Sequence, residues 1–196
     1  EESSNFIGWR GYIQKVIETQ NTRVVLSSGL EFFREKYNWA TYSNLNARLL
    51  SDNIEKRQYE NLFFQMESNL YERVFLSAGL NGNLTRFNYT DQFFDNGDQS
   101  GKHSYKPVLS PRLGINILVT DELSAFANIS HGFSTPTFEE TLLPEGDLNT
   151  EIKPESGWNA EVGFRSQFSD YLQISASYYR IYVNNLLVAR RSGEDA

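Results

Sequence analysis

Apolar and polar residues alternate along most of this chain. From Trp158 to Phe168 the even positions hold Trp, Ala, Val, Phe, Ser and Phe, and the odd positions hold Asn, Glu, Gly, Arg and Gln. A repeat of two puts successive side chains on opposite faces of a strand. The same template fits residues 23 to 34, where Val24, Leu26, Leu30 and Phe32 oppose Arg23, Ser27 and Glu31. It fits residues 73 to 86, with Val74, Leu76, Ala78, Leu80 and Leu84 against Arg73, Ser77, Asn81 and Asn83. It fits residues 108 to 119 as well, with Leu109, Leu113, Ile115, Ile117 and Val119 against Ser110, Arg112 and Asn116. No comparable stretch has helical spacing, so the pattern predicts an all-β fold.

Eight strands are expected, over residues 6–19, 22–36, 58–69, 72–88, 106–119, 122–133, 154–168 and 171–188. In the last of them Leu172, Ile174, Ala176 and Tyr178 share one face, while Tyr179, Ile181 and Val183 continue on the other, which predicts a bulge near Tyr178-Tyr179. The connections near 19–22, 69–72, 119–122 and 168–171 are tight and polar, whereas 37–57, 89–105 and 134–153 are long. Strict alternation of short and long connections belongs to an antiparallel up-and-down transmembrane β-barrel, with short periplasmic turns and long extracellular loops. A Greek-key sandwich does not produce it. Tyr37, Trp39, Tyr89, Phe93, Phe133 and Trp158 fall near strand ends, where a barrel carries its interfacial aromatic girdle.

Composition removes several functions. The 196 residues include no cysteine and two histidines, His103 and His131, so thiolate and multi-histidine metal sites are not expected. A formal charge of -7 argues against a phosphate-binding surface for nucleic acid. No apolar run reaches the ~20 residues of a membrane-spanning helix. A barrel stays open as a possibility, because only alternate residues of its strands meet lipid. The first residues, Glu1-Glu2-Ser3-Ser4, lack the basic and apolar segments of a signal peptide, as expected of a mature chain or of a piece.

Several short motifs are familiar when taken in order. Leu109-Ser110-Pro111-Arg112-Leu113-Gly114, followed by Ala127-Asn128-Ile129-Ser130-His131-Gly132-Phe133-Ser134-Thr135-Pro136-Thr137, resembles a succession found in TonB-dependent outer-membrane receptors. Ile152-Lys153-Pro154-Glu155-Ser156 with Glu161-Val162-Gly163, and Phe64-Gln65-Met66-Glu67 with Ala78-Gly79-Leu80-Asn81, are similar to further phrases of that family. The resemblance covers residues 58 to 190; residues 1 to 57 agree in pattern only. Ile129, Ser134 and Asn81 depart from the family, which often has tyrosine, a basic residue and arginine there.

The resemblance implies a 22-stranded barrel around an N-terminal plug domain, of which residues 1–196 supply eight strands. The plug, its TonB box, a signal peptide and the terminal strands are then expected outside this chain. Both ends of the eight-strand segment would lie extracellularly, with the edge strands pairing with neighbours. The implied function is TonB-dependent active uptake of an extracellular ligand, an iron chelate such as a siderophore or haem, across the bacterial outer membrane. The implied partners are TonB, that ligand and outer-membrane lipid, with no cofactor and no nucleic acid. The alternatives are a nonspecific porin or adhesin barrel and a soluble β-sandwich binding module.

Three groups stand out as candidate chemistry. His131 beside Ser130 and Ser134 invites a hydrolase reading, but a base must meet its nucleophile and be oriented by a third group, and on a strand His131 and Ser130 point to opposite faces. The expected role of this stretch is exit from the membrane, with Phe133 as interfacial anchor and Pro136 ending the ladder. Loop 134–153 carries Glu139, Glu140, Glu145, Asp147 and Glu151 with Lys153 at its edge, and lacks the spacing of a calcium loop. Tyr37, Trp39 and Tyr42 are placed to contact either a ligand or the interface. No catalytic, cofactor, metal or ligand-binding residue is assigned.

Overall fold

The computed structural model describes residues 2–137, 140, 151–169 and 171–187. They form β1 (Glu2–Thr19), β2 (Thr22–Tyr42), β3 (Leu49–Leu70), β4 (Val74–Asp91), β5 (Gly101–Ser104), β6 (Val108–Leu118), β7 (Leu123–Ser134), β8 (Glu155–Ser169) and β9 (Leu172–Asn184). All belong to one antiparallel sheet of order β1-β2-β3-β4-β6-β7-β8-β9, with β5 paired to β4. With β5 and β6 counted as one strand, each strand lies beside its sequence neighbour, as an up-and-down barrel wall requires. The described residues contain no second sheet packed against the first, which rules out the sandwich. β1 and β9 are not paired with each other, so this wall is open.

Short β5 and β6 together make up one expected strand. Both pair with β4, but the register moves by one residue between Arg86↔Ser104 and Asn83↔Val108. Pro107 stands in the interruption and has no N–H for the ladder. A second proline has a similar effect: the β6–β7 ladder stops at Arg112↔Ser130, one residue short of Pro111.

The tight turns are where the sequence places them. Tyr71 and Glu72 both have positive φ (53° and 56°), the left-handed pair that matches the twist of a hairpin. Thr120 Oγ1 accepts hydrogen bonds from the amides of Glu122 (3.2 Å) and Leu123 (3.1 Å), closing the β6–β7 turn.

Two of the long connections need correction. β2 continues to Tyr42 and β3 begins at Leu49, so the first loop is residues 43–48 instead of 37–57. β4 continues to Asp91, and residues 92–100 with a 3-10 turn at Phe94–Asn96 replace the expected 89–105. The cause is the height of the wall. β3 has 22 residues; at about 3.3 Å each such a strand is about 70 Å long, against an apolar band about 25 Å tall. Above the band both faces meet polar surroundings, so alternation fades while the hydrogen-bond ladder continues. Of the third loop, Glu139, Glu145 and Asp147 lie outside the described residues.

The bulge expected at Tyr178-Tyr179 is also absent. Val162↔Tyr178 and Glu161↔Tyr179 sit in an unbroken register, and the irregularity falls at Gln167/Ser169 beside the turn. β9 is a regular strand with apolar residues on both faces.

Register assigns the two faces of the wall. Leu26, Met66, Ala78, Leu113, Ile129 and Ala160 are successive cross-strand partners in a row that ends in Lys15 and Arg180 on the edge strands β1 and β9, and the neighbouring outward rows are mostly apolar. Ile13 is 78 % exposed, Leu113 59 % and Val162 55 %, a continuous apolar surface of the kind that meets lipid. From Thr22 to Phe32 the outward series spans roughly ten residues, which at ~3.3 Å each and ~40° tilt rises ~25 Å. That equals the hydrocarbon-facing band of a barrel.

The girdle is the expected one only at Phe133 and Trp158. Its outward aromatics are Trp9 paired with Phe32, Trp158 paired with Tyr182, and Phe133 on the same face of β7. Tyr37, Trp39 and Tyr89 point inward instead, and Tyr89 is only 4 % exposed. Parity decides this, since the outward residues of β2 are even-numbered.

One close approach yields a prediction. A Cβ on Gly29 would lie 2.6 Å from the Gly11 carbonyl oxygen and 2.6 Å from the Phe63 ring. Gly29→Ala in the full-length protein should lower stability by about 1–3 kcal/mol through overpacking, read as a lower urea midpoint in detergent. An unchanged midpoint would show that β1 and β2 separate without cost.

Candidate functional site: the polar inner wall

The inner face carries a hydrogen-bonded polar network. Arg10 Nε lies 2.5 Å from Glu31 Oε1, Asn61 Nδ2 donates to Glu31 Oε2 at 3.3 Å, Asn83 Nδ2 to Asn61 Oδ1 at 2.6 Å, and Thr85 Oγ1 to Asn83 Oδ1 at 2.9 Å. This chain of contacts crosses four strands. Lower on the wall Arg112 donates to Gln65, which donates to Glu67. Toward β8, Asn128 donates to Glu161 at 3.1 Å and the Arg165 guanidinium stands 4.9 Å from the Phe126 ring.

The densest cluster lies high on β3 and β4. Asn53, Glu55, Asn83, Thr85, Phe87, Tyr89, Tyr105 and Asp91 are all buried, whereas the intervening Arg86 and Asn88 are exposed on the outer face. Arg57 binds Glu55 through Nε at 2.7 Å and Nη2 at 2.6 Å, with side-chain exposures of 14 % and 5 %. Nη1 donates to the Tyr59 hydroxyl at 3.0 Å, and Glu35 is the direct cross-strand partner of Arg57. Tyr89 donates to Asn53. β5 adds His103 and then Tyr105, whose rings stack against Phe87 and each other at centroid distances of 4.8 to 5.9 Å.

A cavity of about 350 Å³ opens beside this cluster, lined by Glu35, Tyr37, Trp39, Glu55, Arg57 and Thr137 among others. It combines aromatic faces, the three carboxylates of Glu2, Glu35 and Glu55 and one guanidinium, which suits a ligand bearing both polar and planar groups. The loop above is pinned by Asp91, whose carboxylate accepts the amides of Phe93 (2.8 Å) and Gln99 (3.2 Å). In the same loop, hydrogen bonds from Ser100 hold the exposed Asp98 carboxyl below the usual carboxylate range.

The residues singled out by sequence separate under this geometry. Tyr37 and Trp39 join the cavity, while Tyr42 is 44 % exposed at the end of β2. His131 finds neither Ser130 nor Ser134; Nδ1 is 3.3 Å from Ser110 Oγ, and its ring packs 5.2 Å from Trp158. Among the described residues no carboxylate is hydrogen-bonded to that ring. In loop 134–153, Glu140 accepts from the Thr137 amide (2.7 Å) and hydroxyl (3.0 Å). Among the described residues no three His, Cys, Asp or Glu side chains gather as a metal site.

The wall with its apolar outside and polar inside can be set against known proteins. Residues 2–196 match the family described as TonB dependent receptor-like, beta-barrel. The chain belongs to that family. TonB-dependent receptors are proteins of the Gram-negative outer membrane, and this receptor wall is built for that setting. It is 31 % identical over 93 residues to a vitamin B12 transporter, BtuB, of Vibrio vulnificus (strain YJ016), covering 47 % of this chain and 14 % of that protein. It superposes on the ferric citrate transporter FecA, in its unliganded form, with a TM-score of 0.79 at 14 % identity, covering 99 % of this chain and 30 % of that one. The siderophore receptor PiuA from Acinetobacter baumannii gives 0.69 at 12 % identity, covering 91 % and 31 %. These similarities are to transporters and receptors. This receptor chain therefore spans less than a third of the length of each.

The upper cluster had little sequence signal. Glu55, Arg57 and Tyr59 alternate in a stretch expected to be loop at its start, and His103 with Tyr105 joins only because β5 pairs with β4. Within β4, however, Thr85, Phe87, Tyr89 and Asp91 keep the inward parity of Asn81 and Asn83. Extending that parity past residue 88 was the available clue.

Proposed function

We propose that this chain forms part of a receptor for active uptake across the outer membrane, with an iron chelate such as a siderophore or haem as ligand. The family match over residues 2–196 carries the reading. The rest of the polypeptide supplies a signal peptide, a plug domain filling the barrel, and further strands that complete it to 22. TonB, driven by the inner-membrane proton gradient, pulls on the plug and admits the ligand. The hydrogen-bonding inner wall supports a lumen occupied by polar protein surface. The Arg57 and Tyr37 cavity supports recognition of the incoming ligand from the barrel side. A pre-chelated metal needs no direct protein ligand, and the transport cycle includes no bond chemistry in this chain.

A corrinoid cargo is the second reading, favoured by the vitamin B12 transporter among the relatives. The test is growth and radiolabelled uptake by cells carrying the full-length gene, with ferric siderophore, haem or cobalamin supplied in turn, in the presence and absence of TonB. Uptake of one of the iron chelates that disappears on TonB deletion is the expected result. Uptake that persists without TonB would instead identify a passive porin.

A further inference from the structure

The wall parts between the upper ends of β6 and β7. Their ladder ends at Arg112↔Ser130, yet β6 stays paired to β4 as far as Asn83↔Val108, and β7 to β8 as far as Ser134↔Glu155. Residues 108–111 and 131–134 thus flank a gap that no register pair spans. One contact shows that the gap passes through the sheet. Ser110 stands opposite Asn81 on the inner face and His131 opposite Trp158 on the outer face, so the 3.3 Å between Ser110 Oγ and His131 Nδ1 runs from one face to the other. His131 also borders an inner hollow beside Asn81 and Arg112, while its ring packs on Trp158.

Both mouths of this gap are apolar. Outside, it opens at the aromatic girdle, between Phe133 and the exposed Leu109. Inside, it adjoins a hollow of about 320 Å³ that runs over Gly132 and Gly157 to Ile181 and Val183. The inward positions of β6 and β7 nearby are polar, with Ser110, Arg112, Asn128 and Ser130, but Ile181 and Val183 are exposed apolar side chains facing inward. A Cβ on Gly132 would meet nothing within 4 Å, so the space above it is unfilled. Asn159 Oδ1, in the same lining, is buried with no hydrogen-bond partner among the described residues. An apolar groove joined to the lipid-facing surface, with one unused acceptor, matches an apolar chain that carries a donor at its head.

We propose that this hollow binds the acyl chain of an N-acylated amphiphile, which enters sideways from the outer leaflet through the β6–β7 gap. The leaflet named rests on the tight turns facing the periplasm. The chain lies along Ile181 and Val183, and its amide N–H donates to Asn159 Oδ1. The unpaired backbone of the gap offers hydrogen bonds to the polar end on its way in, at a height where lipid offers few. Opening disturbs little, because the Ser110–His131 contact is a single exchangeable hydrogen bond. The site adds to the uptake reading a cargo with an acyl tail, and its occupation needs neither TonB nor transport, so the two readings fail separately.

The test uses full-length receptor in phospholipid vesicles and N-tetradecanoyl glycinamide bearing a diazirine in its chain, photolysed and mapped by peptide mass spectrometry. Outward Tyr182 is labelled from the bilayer in every case and serves as the reference. Inward Ile181 and Val183 should be labelled as well, and should not be by the N-butanoyl analogue. Gly132→Phe fills the hollow without meeting the wall, and should lower labelling at Ile181 and Val183 about tenfold relative to Tyr182. If that variant fails to insert, I181Q/V183Q decides, with the same loss expected at positions 181 and 183. Oxidation of S110C/H131C should block inner labelling and reduction restore it. Labelling confined to Tyr182, inner labelling unchanged in the hollow variants, or equal inner labelling by the short analogue would overturn the proposal. Inner labelling that survives the crosslink would overturn sideways entry.

Discussion

Replacing Arg57 with alanine in the full-length receptor is expected to destabilise the barrel by about 3–5 kcal/mol, the range for breaking one side of a buried ion pair. The Glu55 side chain is 5 % exposed and both nitrogens of Arg57 that bind it converge on one carboxylate oxygen. Without the guanidinium that carboxylate has no cation, and Glu35, the cross-strand partner of Arg57, faces the same vacancy with its own negative charge. Tyr59 loses its donor at the same time. Urea unfolding in detergent should show the loss directly.

A double variant separates stability from function. Removing both charges in E55L/R57L should recover most of the lost stability, since a buried ion pair is often replaceable by apolar groups of similar volume. Ligand uptake should stay impaired, because the cavity beside Tyr37 and Trp39 then lacks its cation. Recovery of uptake together with stability would mean that Arg57 only holds the wall. An R57A barrel with an unchanged midpoint would mean that water already solvates Glu55, contrary to its burial.

What was legible in the sequence followed from parity. Period two alone assigned Leu26, Ala78, Leu113 and Val162 to the lipid side and Ser77, Arg112 and Asn116 to the lumen, and register confirms each. The same rule would have sent Tyr37 and Trp39 inward, had it been carried past the expected strand end. The upper strands were hidden for a physical reason: once a wall rises above the lipid, no solvent difference forces its two faces to differ.

Contacts between distant segments were the other loss. Ser110 and His131 are 21 residues apart and meet where the β6–β7 ladder ends at Pro111. On the outer face Arg34, Lys36, Lys56, Arg86 and Lys102 are likewise separated in sequence, and only antiparallel register gathers them into two adjacent rows. A strand at a time, each reads as an ordinary surface cation. Local pattern thus specifies faces, while register specifies sites.

Leu113→Lys should cost about 2–4 kcal/mol and Asn116→Lys close to nothing, on the scale measured for cations on barrel lipid faces near the midplane. The two positions are three residues apart on the same strand, with opposite parity. Leu113 is 59 % exposed and lies in the middle of an apolar row running from Met66 and Ala78 to Ile129 and Ala160. A lysine there must either carry its charge into hydrocarbon or drag water toward it. Asn116 faces inward beside Asn69, Ser77 and Asn128, where polar groups already line a hollow of about 460 Å³. Refolding of both full-length variants into lipid vesicles, titrated with urea, measures the difference. Equal losses at the two positions would contradict the assignment of faces, and a larger loss at Asn116 would reverse it, placing lipid on the polar side and leaving the apolar rows without a role. The same titration on Lys36→Leu provides the matching limit: it lies above the girdle, so its midpoint should move far less than that of Leu113→Lys.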